Sequence, residues 1–494
     1  MSERIETMTA EADVPEDTTV ASTGPSFAVL GGGPAGVGAA WKLRRETGFD
    51  VSLFEAAERL GGNAASFDVA GVRVDYGSHR LHPVTAPEIM ADIQNLLGDD
   101  LLLRPRHGRI RLKGSWIHFP LKPFDLATRL PIPFASSLFF DAATAKLRAP
   151  KVETETFESV LLSGLGRSMC ENFYFPYVRK LWGREPKDLA TTLAQRRVSG
   201  SSLPKLIKKI LGQLPGLRSA TAGKFFYPVR GFGQITEAFS DAAIQSGVDV
   251  NLQTRVTGLE LDGTRVTSVS VETERGVETI RPDYVWSTLP ISTLVRAAGD
   301  AVSDDVIEAA KKINYRGMIL IYLVLDTQQF SEYDAHYFPE AHIPMSRMSE
   351  PKNYSATAEP SGRTVLCAEL PADPGDEYWD LSNEALGEHM RDWIVRAGLP
   401  LDAKTIAVET RRIPYAYPVY DRDYATHFEK LDAWAGSLDN LLTFGRQGLF
   451  AHDNTHHALA MAYGAVNALN EDGTLDRAHW AELREEFETH VVED

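Results

Sequence analysis

The stretch "LGGGPAGVGAAWKLRRETGFDVSLFEAAERLGGNA", residues 30–64, constrains this chain more than any other. The apolar residues 27–31 read as a buried strand. Gly31, Gly33 and Gly36 come next in a GxGxxG spacing, with Pro34 and Ala35 between the last two glycines. "VGAAWKLRRE" reads as a helix whose small residues face that strand. "DVSLFEA" reads as a second strand ending on Glu55, 19 residues beyond the third glycine. A strand, a glycine turn, a helix and a second strand closed by an acid make a βαβ unit suited to a dinucleotide. The glycines let backbone approach a pyrophosphate. The helix N-terminus offers N–H groups and positive potential. The carboxylate accepts hydrogen bonds from ribose hydroxyls.

The residues beyond Glu55 favour FAD over NAD. "ERLGGNAAS" places Gly61, Gly62 and Asn63 directly after the acid. A second close backbone approach suits a larger, extended cofactor, whereas NAD domains usually run straight into another helix. "VRVDYGSHRLHP" then sets Gly77, Ser78 and His79 at a strand end, a place for a flavin ring edge. Residues 248–290 read as alternating strands and turns, with Val256 a candidate cofactor contact. Residues 440–469 read as a strand, a turn with Gly445 and Arg446, and a small-residue helix. These pieces predict an FAD-binding domain in three parts, 26–80, 225–295 and 435–475. The substrate-binding domain takes 81–224 and 296–434, and 476–494 form a C-terminal helix and tail. Residues 1–24 lack the apolar region of a signal peptide and read as a disordered tail.

A formal charge of -17 argues against a nucleic-acid binder, whose footprint would be basic. It leaves an anionic small substrate open, because local arginines can outweigh a distant acidic surface. The two cysteines, Cys170 and Cys367, form no metal-ligand or disulfide pattern, which fits a cytoplasmic setting. No run approaches the roughly 18 apolar residues of a spanning helix. "LPIPFASSLFF" (130–140) is expected to be a buried loop-helix.

With these segments in hand, the chain resembles the FAD-dependent superfamily of amine oxidases, protoporphyrinogen oxidase and UDP-galactopyranose mutase, over most of residues 26–470. Several segments look most like the mutases. "GGNAAS" and "DYGSHRLHP" resemble their flavin-contact blocks, and His79 matches the histidine lying against the flavin. "YFPYVRKLWGREPKDLATTLAQRR" (174–197) resembles the block with Trp182 and a downstream catalytic arginine, matched by Arg196. "PMSRMSEPKNYS" (344–355) resembles the segment with the second catalytic arginine, matched by Arg347. "YAYPV" (415–419) resembles a substrate tyrosine region, giving Tyr417, and "FGRQGLF" (444–450) resembles a flavin segment whose arginine is Arg446. The chain departs from the mutases at "HDNTHH" (452–457). There His452, Asn454 and His456 stand in place of a substrate tyrosine and acids, with His452 and Asn454 kept as substrate-binding candidates.

The resemblance implies an α/β flavoprotein of the GR2 type, with a Rossmann-like FAD-binding domain and a discontinuous α+β substrate domain. It implies action on a nucleotide-activated sugar or glycoconjugate, with reduced flavin N5 as nucleophile and NADH or NADPH as a candidate external reductant. Arg196 and Arg347 would bear the diphosphate charge. The alternative is an oxidase or dehydrogenase of the amine oxidase and protoporphyrinogen oxidase type; a third is an inactive FAD-binding scaffold. Expected partners are a small anionic substrate and, as one assembly, a homodimer.

Plainer roles compete for the same residues. Arg347 could pair with Glu350, Arg196 could be a solvated or helix-terminal residue, and Trp182 and Tyr417 could be core. His452, His456 and His457 invite a metal reading. His452 and His456 share a face only if their loop is helical, and no third ligand is evident, so no metal is expected.

Overall fold

The computed structural model describes residues 24–121, 125, 128–144, 154–197 and 223–492. The tail expected at residues 1–24 lies almost wholly outside them.

Five short strands form an all-parallel sheet in the order Leu441–Thr443, Tyr284–Ser287, Ser26–Leu30, Asp50–Phe54, Asp249–Asn251. Their apolar runs are buried because helices cover both faces, as parallel sheets require. The helix Pro34–Thr47 follows the first strand at once. Proline sits in its first turn, where the missing N–H costs no intrahelical bond. Its small residues allow a close return over the sheet. Gly36 is the tightest point, since a Cβ there would lie 1.9 Å from the Gly31 carbonyl oxygen. The helix Thr455–Asn467 packs beside it and buries Leu459, Met461 and Ala462 in the same core.

Between the strands at 249–251 and 284–287 the chain makes a three-stranded antiparallel sheet, Arg255–Asp262, Arg265–Thr273 and Gly276–Ile280. The fold is thus mixed α/β around a parallel sheet.

A seven-stranded sheet makes the second layer. Its order is Thr405–Val419, Asn314–Leu325, Thr364–Pro371, Arg347–Ser349, Ala335–Tyr337, Gly108–Leu112, Ser115–Phe119. Strand Asn314–Leu325 is apolar and buried nearly throughout because neighbours flank it on both edges and both faces are covered. Two strands bring the sheet to the parallel one: Thr364–Pro371 carries Glu369, and Thr405–Val419 carries Ile413 to Tyr417.

The segment at 130–140 differs from its expectation. Ile132–Thr144 is a helix that buries Phe134 and Ala135. Ile132 is 81% exposed and Phe140 55%, so the helix is half-buried and not internal. Among the described residues no helix is long and apolar enough to cross a membrane.

Candidate active site

A cavity of about 570 Å³ opens where the two layers meet, within the size range of small-molecule sites. Gly31, Gly33, Pro34 and Ala35 form part of its wall. Phe54 and Glu55 join from the second strand, Gly62 and Asn63 from the second glycine turn, and Thr254 to Val256 from the strand start beyond. Ser78, His79, Arg80, Arg106, Tyr415, Arg446, Asp453 and Asn454 complete the other side.

The glycine end fits a dinucleotide. A Cβ at Gly33 would meet nothing within 4 Å, so the missing side chain leaves open space at the helix N-terminus. The first helical turn holds no acid and no side chain caps it, which leaves its N–H groups for a ligand anion. Glu55 accepts from the Gly32 N–H at 2.7 Å and the Ala57 N–H at 2.9 Å, fixing its carboxylate at the strand end. These residues are placed to hold a dinucleotide cofactor.

Other glycines of the expected set stand behind the wall. Gly36 packs on the Gly31 carbonyl, Gly61 on Thr236 and Ala65, and Gly445 on Ala35. Gly77 has φ +93°, and a Cβ there would lie 3.2 Å from Glu369 Oε1. It turns the chain so that Ser78 N–H donates to Glu369 Oε1 at 2.8 Å.

His79 stacks on Phe232 at 5.3 Å, and its Nε2 lies 2.9 Å from the Tyr76 carbonyl oxygen. A carbonyl only accepts, so Nε2 carries the proton and Nδ1 keeps a lone pair. Burial holds the ring's pKa below the usual histidine range. The strand end beneath it is fixed by Asp75, which accepts from Ser66, Tyr227 and the Phe232 N–H. Burial pushes that carboxyl up.

The two matched arginines lie outside the wall. Arg347 pairs with Glu369, at 2.9 Å through Nε, and also reaches the Ser78 carbonyl. The alternative partner, Glu350, instead accepts from Phe330 N–H, Ser331 N–H and Thr364. Arg196 lies in the last turn of helix Thr191–Arg197 but is buried, not solvated, and is paired with Glu488 from the C-terminal segment. Its carbonyl accepts from Val492 N–H at 2.9 Å. Its neighbour Arg197, likewise outside the cavity wall, lies over Trp182 at 5.9 Å and over Tyr417 at 5.4 Å. Arg446 approaches Tyr417 at 5.2 Å and donates to the Ala416 carbonyl at 2.7 Å.

Trp182, Tyr417 and His452 form one cluster with Tyr420, the rings 4.7–6.4 Å from His452. His452 is fully buried, and neither ring nitrogen has a hydrogen-bond partner. Burial, then the charges of Arg197, Arg446 and Arg196, holds its pKa far below the usual range, so it is neutral.

His452 and His456 do not share a helical face, because the helix begins only at Thr455. The structure instead groups Asp453, His457 and His490. Sequence reasoning also missed Arg80, Arg106, Arg197, Asp453 and Tyr415. Arg80 follows His79 directly and was legible there as a second polar residue of the same turn. It lies within hydrogen-bond reach of Tyr337 and Tyr354, at 3.2 and 3.1 Å, and 3.6 Å from Asp334.

A family model described as flavin containing amine oxidoreductase matches residues 34–420. A probable UDP-galactopyranose mutase of Klebsiella pneumoniae is 29% identical over 177 residues, 34% of this chain and 44% of that protein. The match thus spans less than half of that relative's length. The crystal structure of reduced UDP-galactopyranose mutase is similar over 95% of this chain and 100% of its own, with TM-score 0.78 and 22% identity. A putative protoporphyrinogen oxidase from Exiguobacterium sp. 255-15 is similar over 90% and 98%, with TM-score 0.65 and 18% identity. The two structural likenesses are likenesses of fold.

Proposed function

Because the chain belongs to the flavin containing amine oxidoreductase family, we propose that it is an FAD-dependent enzyme acting on a nucleotide-activated sugar or related glycoconjugate. One observation carries the substrate class. Arg197 and Arg446, 249 positions apart in sequence, converge on the ring of Tyr417 at 5.4 and 5.2 Å. Two guanidinium forks from distant segments are what a diphosphate needs. The reduced form of the bound cofactor supplies the nucleophilic centre in this reading.

The chain's own residues then bind and orient. Arg197 and Arg446 bear the charge that grows on a departing diphosphate, where low dielectric strengthens their effect. Both guanidinium groups lie against the Tyr417 ring. Trp182, Tyr420 and neutral His452 keep water from that side. His79, with a lone pair at Nδ1, and Asn454 both line the cavity. Likeness of fold to the reduced mutase supports this reading, and fold alone is compatible with other chemistry.

A second reading, oxidation or dehydrogenation of an uncharged substrate, draws on a different observation. The two matched arginines are both engaged by carboxylates, Glu369 and Glu488, which leaves neither free for an anionic substrate. The deciding experiment offers UDP-hexoses to enzyme reduced under anaerobic conditions. Isomerised sugar nucleotide with no net electron use supports the first reading. Inertness toward sugar nucleotides, with bleaching of oxidised flavin by an uncharged substrate, overturns it in favour of the second.

A further inference from the structure

The loop that completes the cavity carries a feature the proposed chemistry does not use. Asp453 sits in the wall, and its side chain is shut off from solvent. Two imidazoles face it. His457 comes from the first turn of helix Thr455–Asn467, and His490 from the segment after helix Arg477–Phe487. His457 Nδ1 is 3.4 Å from Oδ1, and His490 Nδ1 is 3.4 Å from Oδ2. One ligand atom from each residue can be chosen so that all lie within 4.8 Å of one another.

We propose that Asp453, His457 and His490 bind one divalent late first-row transition metal ion, with zinc as the representative, clipping the C-terminal segment to the cavity rim. His490 Nδ1 and Asp453 Oδ2 make a hydrogen bond, but both N···O separations are long for one. They exceed the roughly 2.7–2.9 Å of a charge-assisted N–H···O bond. The two contacts use different oxygens of the carboxylate, so a single zinc with ligands about 2.0–2.1 Å from its centre is reached by turning the side chains inward from their span of 4.8 Å.

The lone pairs argue the same way. The Asn454 N–H points at His457 Nδ1 from 3.3 Å, so that nitrogen presents a lone pair. Asp453 Oδ1 is buried without a hydrogen-bond partner. Two electron-rich atoms thus face each other, an arrangement that a cation relieves. The imidazoles of His457 and His490 stack at 4.2 Å and 13°. Coordination requires each ring to turn about its last torsion so that its Nδ1 faces the ion, giving up the long Asn454 contact. Two nitrogens and one carboxylate oxygen select zinc, cobalt or nickel over calcium and magnesium, which take oxygen. His457 and His490 retain 12 and 13% side-chain exposure, giving the ion a path from solvent.

The ion would fasten more than a loose end. The tail that carries His490 also carries Glu488, paired with Arg196, and Val492, whose N–H binds the Arg196 carbonyl. The test uses the full chain as purified, with its flavin, after treatment with a chelator and buffer exchange. Cobalt is titrated in and followed by its visible d–d difference absorption, then displaced by zinc. Expected are saturation at one equivalent and a higher unfolding midpoint with zinc. His490→Ala and His457→Ala should each weaken binding at least about tenfold, and His342→Ala, at an exposed histidine, should leave it unchanged. If His490→Ala does not fold, His490→Asn replaces it. Absence of saturable binding to the unmodified chain, or binding that survives loss of His490, overturns the proposal.

Discussion

Arg347 and Glu369 form a two-pronged ion pair across adjacent antiparallel strands. Nε and one terminal nitrogen of the arginine donate to the two carboxylate oxygens at 2.9 Å each. The same carboxylate accepts the Ser78 N–H, so the pair fixes the turn that presents His79 and Arg80 to the cavity. Both side chains are nearly buried, at 12 and 5% exposure. Arg347→Ala would strand a buried carboxylate, and Glu369→Ala a buried guanidinium. Each should cost about 3–5 kcal/mol of stability. Chemical denaturation with flavin-release fluorescence checks this. Loss of activity at unchanged stability would instead show Arg347 touching substrate.

Gly33 and Gly36 should separate cofactor binding from folding. Gly33→Val projects into open space at the helix N-terminus, so the fold should persist while visible flavin absorbance is lost. Gly36→Ala drives a Cβ into the Gly31 carbonyl at 1.9 Å. It should lower the unfolding midpoint of the flavin-free protein, a loss of about 1–3 kcal/mol. Absorbance spectra and thermal melts of both variants distinguish the two outcomes.

Arg197 and Arg196 should part company in kinetics. Arg197→Ala removes one fork from Tyr417 and should lower kcat/KM for an anionic substrate by about 10²–10³ with little change in folding. Arg196→Ala removes the partner of Glu488 and should speed amide exchange in residues 488–492. Steady-state kinetics and hydrogen exchange read these separately.

The motif match placed the functional arginine at Arg196, and the structure turns Arg197 toward the aromatic cluster. Adjacent residues on a helix point about 100° apart, so spacing along a string cannot tell which of two consecutive arginines faces the site. The glycine turn was legible because its geometry is local, set by residues within one βαβ unit. The partner of Arg347 was not, because Glu369 becomes its neighbour only through the register of two strands 22 residues apart. His490 lies 37 residues from Asp453, and nothing in the intervening sequence says that the last helix folds back.

His336 predicts acid sensitivity. It is 1% exposed among Trp116, Phe330 and Tyr333, with Arg109 nearby. Burial, then the charge of Arg109, holds its pKa well below 6.5. The unfolded chain therefore binds a proton there that the folded chain refuses. This stability is fully present above about pH 6.5 and falls as pH drops, by up to about 1.4 kcal/mol per pH unit. His336→Phe should remove about one proton from the slope of unfolding free energy between pH 6.5 and 4.5. Urea titrations across that range measure it.

The parallel sheet carries a consequence for how the protein is made. Ser26 opens the central strand, and its side-chain and backbone partner is Asp283, 257 positions later. At roughly 5–20 residues per second, a ribosome needs on the order of 13–50 seconds to deliver that partner. Through that interval the strand has one neighbour and one bare edge, and the outermost strand, Leu441–Thr443, arrives later still. The cofactor pocket is therefore a late event in the life of the chain. A nascent protein has to keep its first glycine turn from finding a wrong edge until the far half of the sequence has emerged.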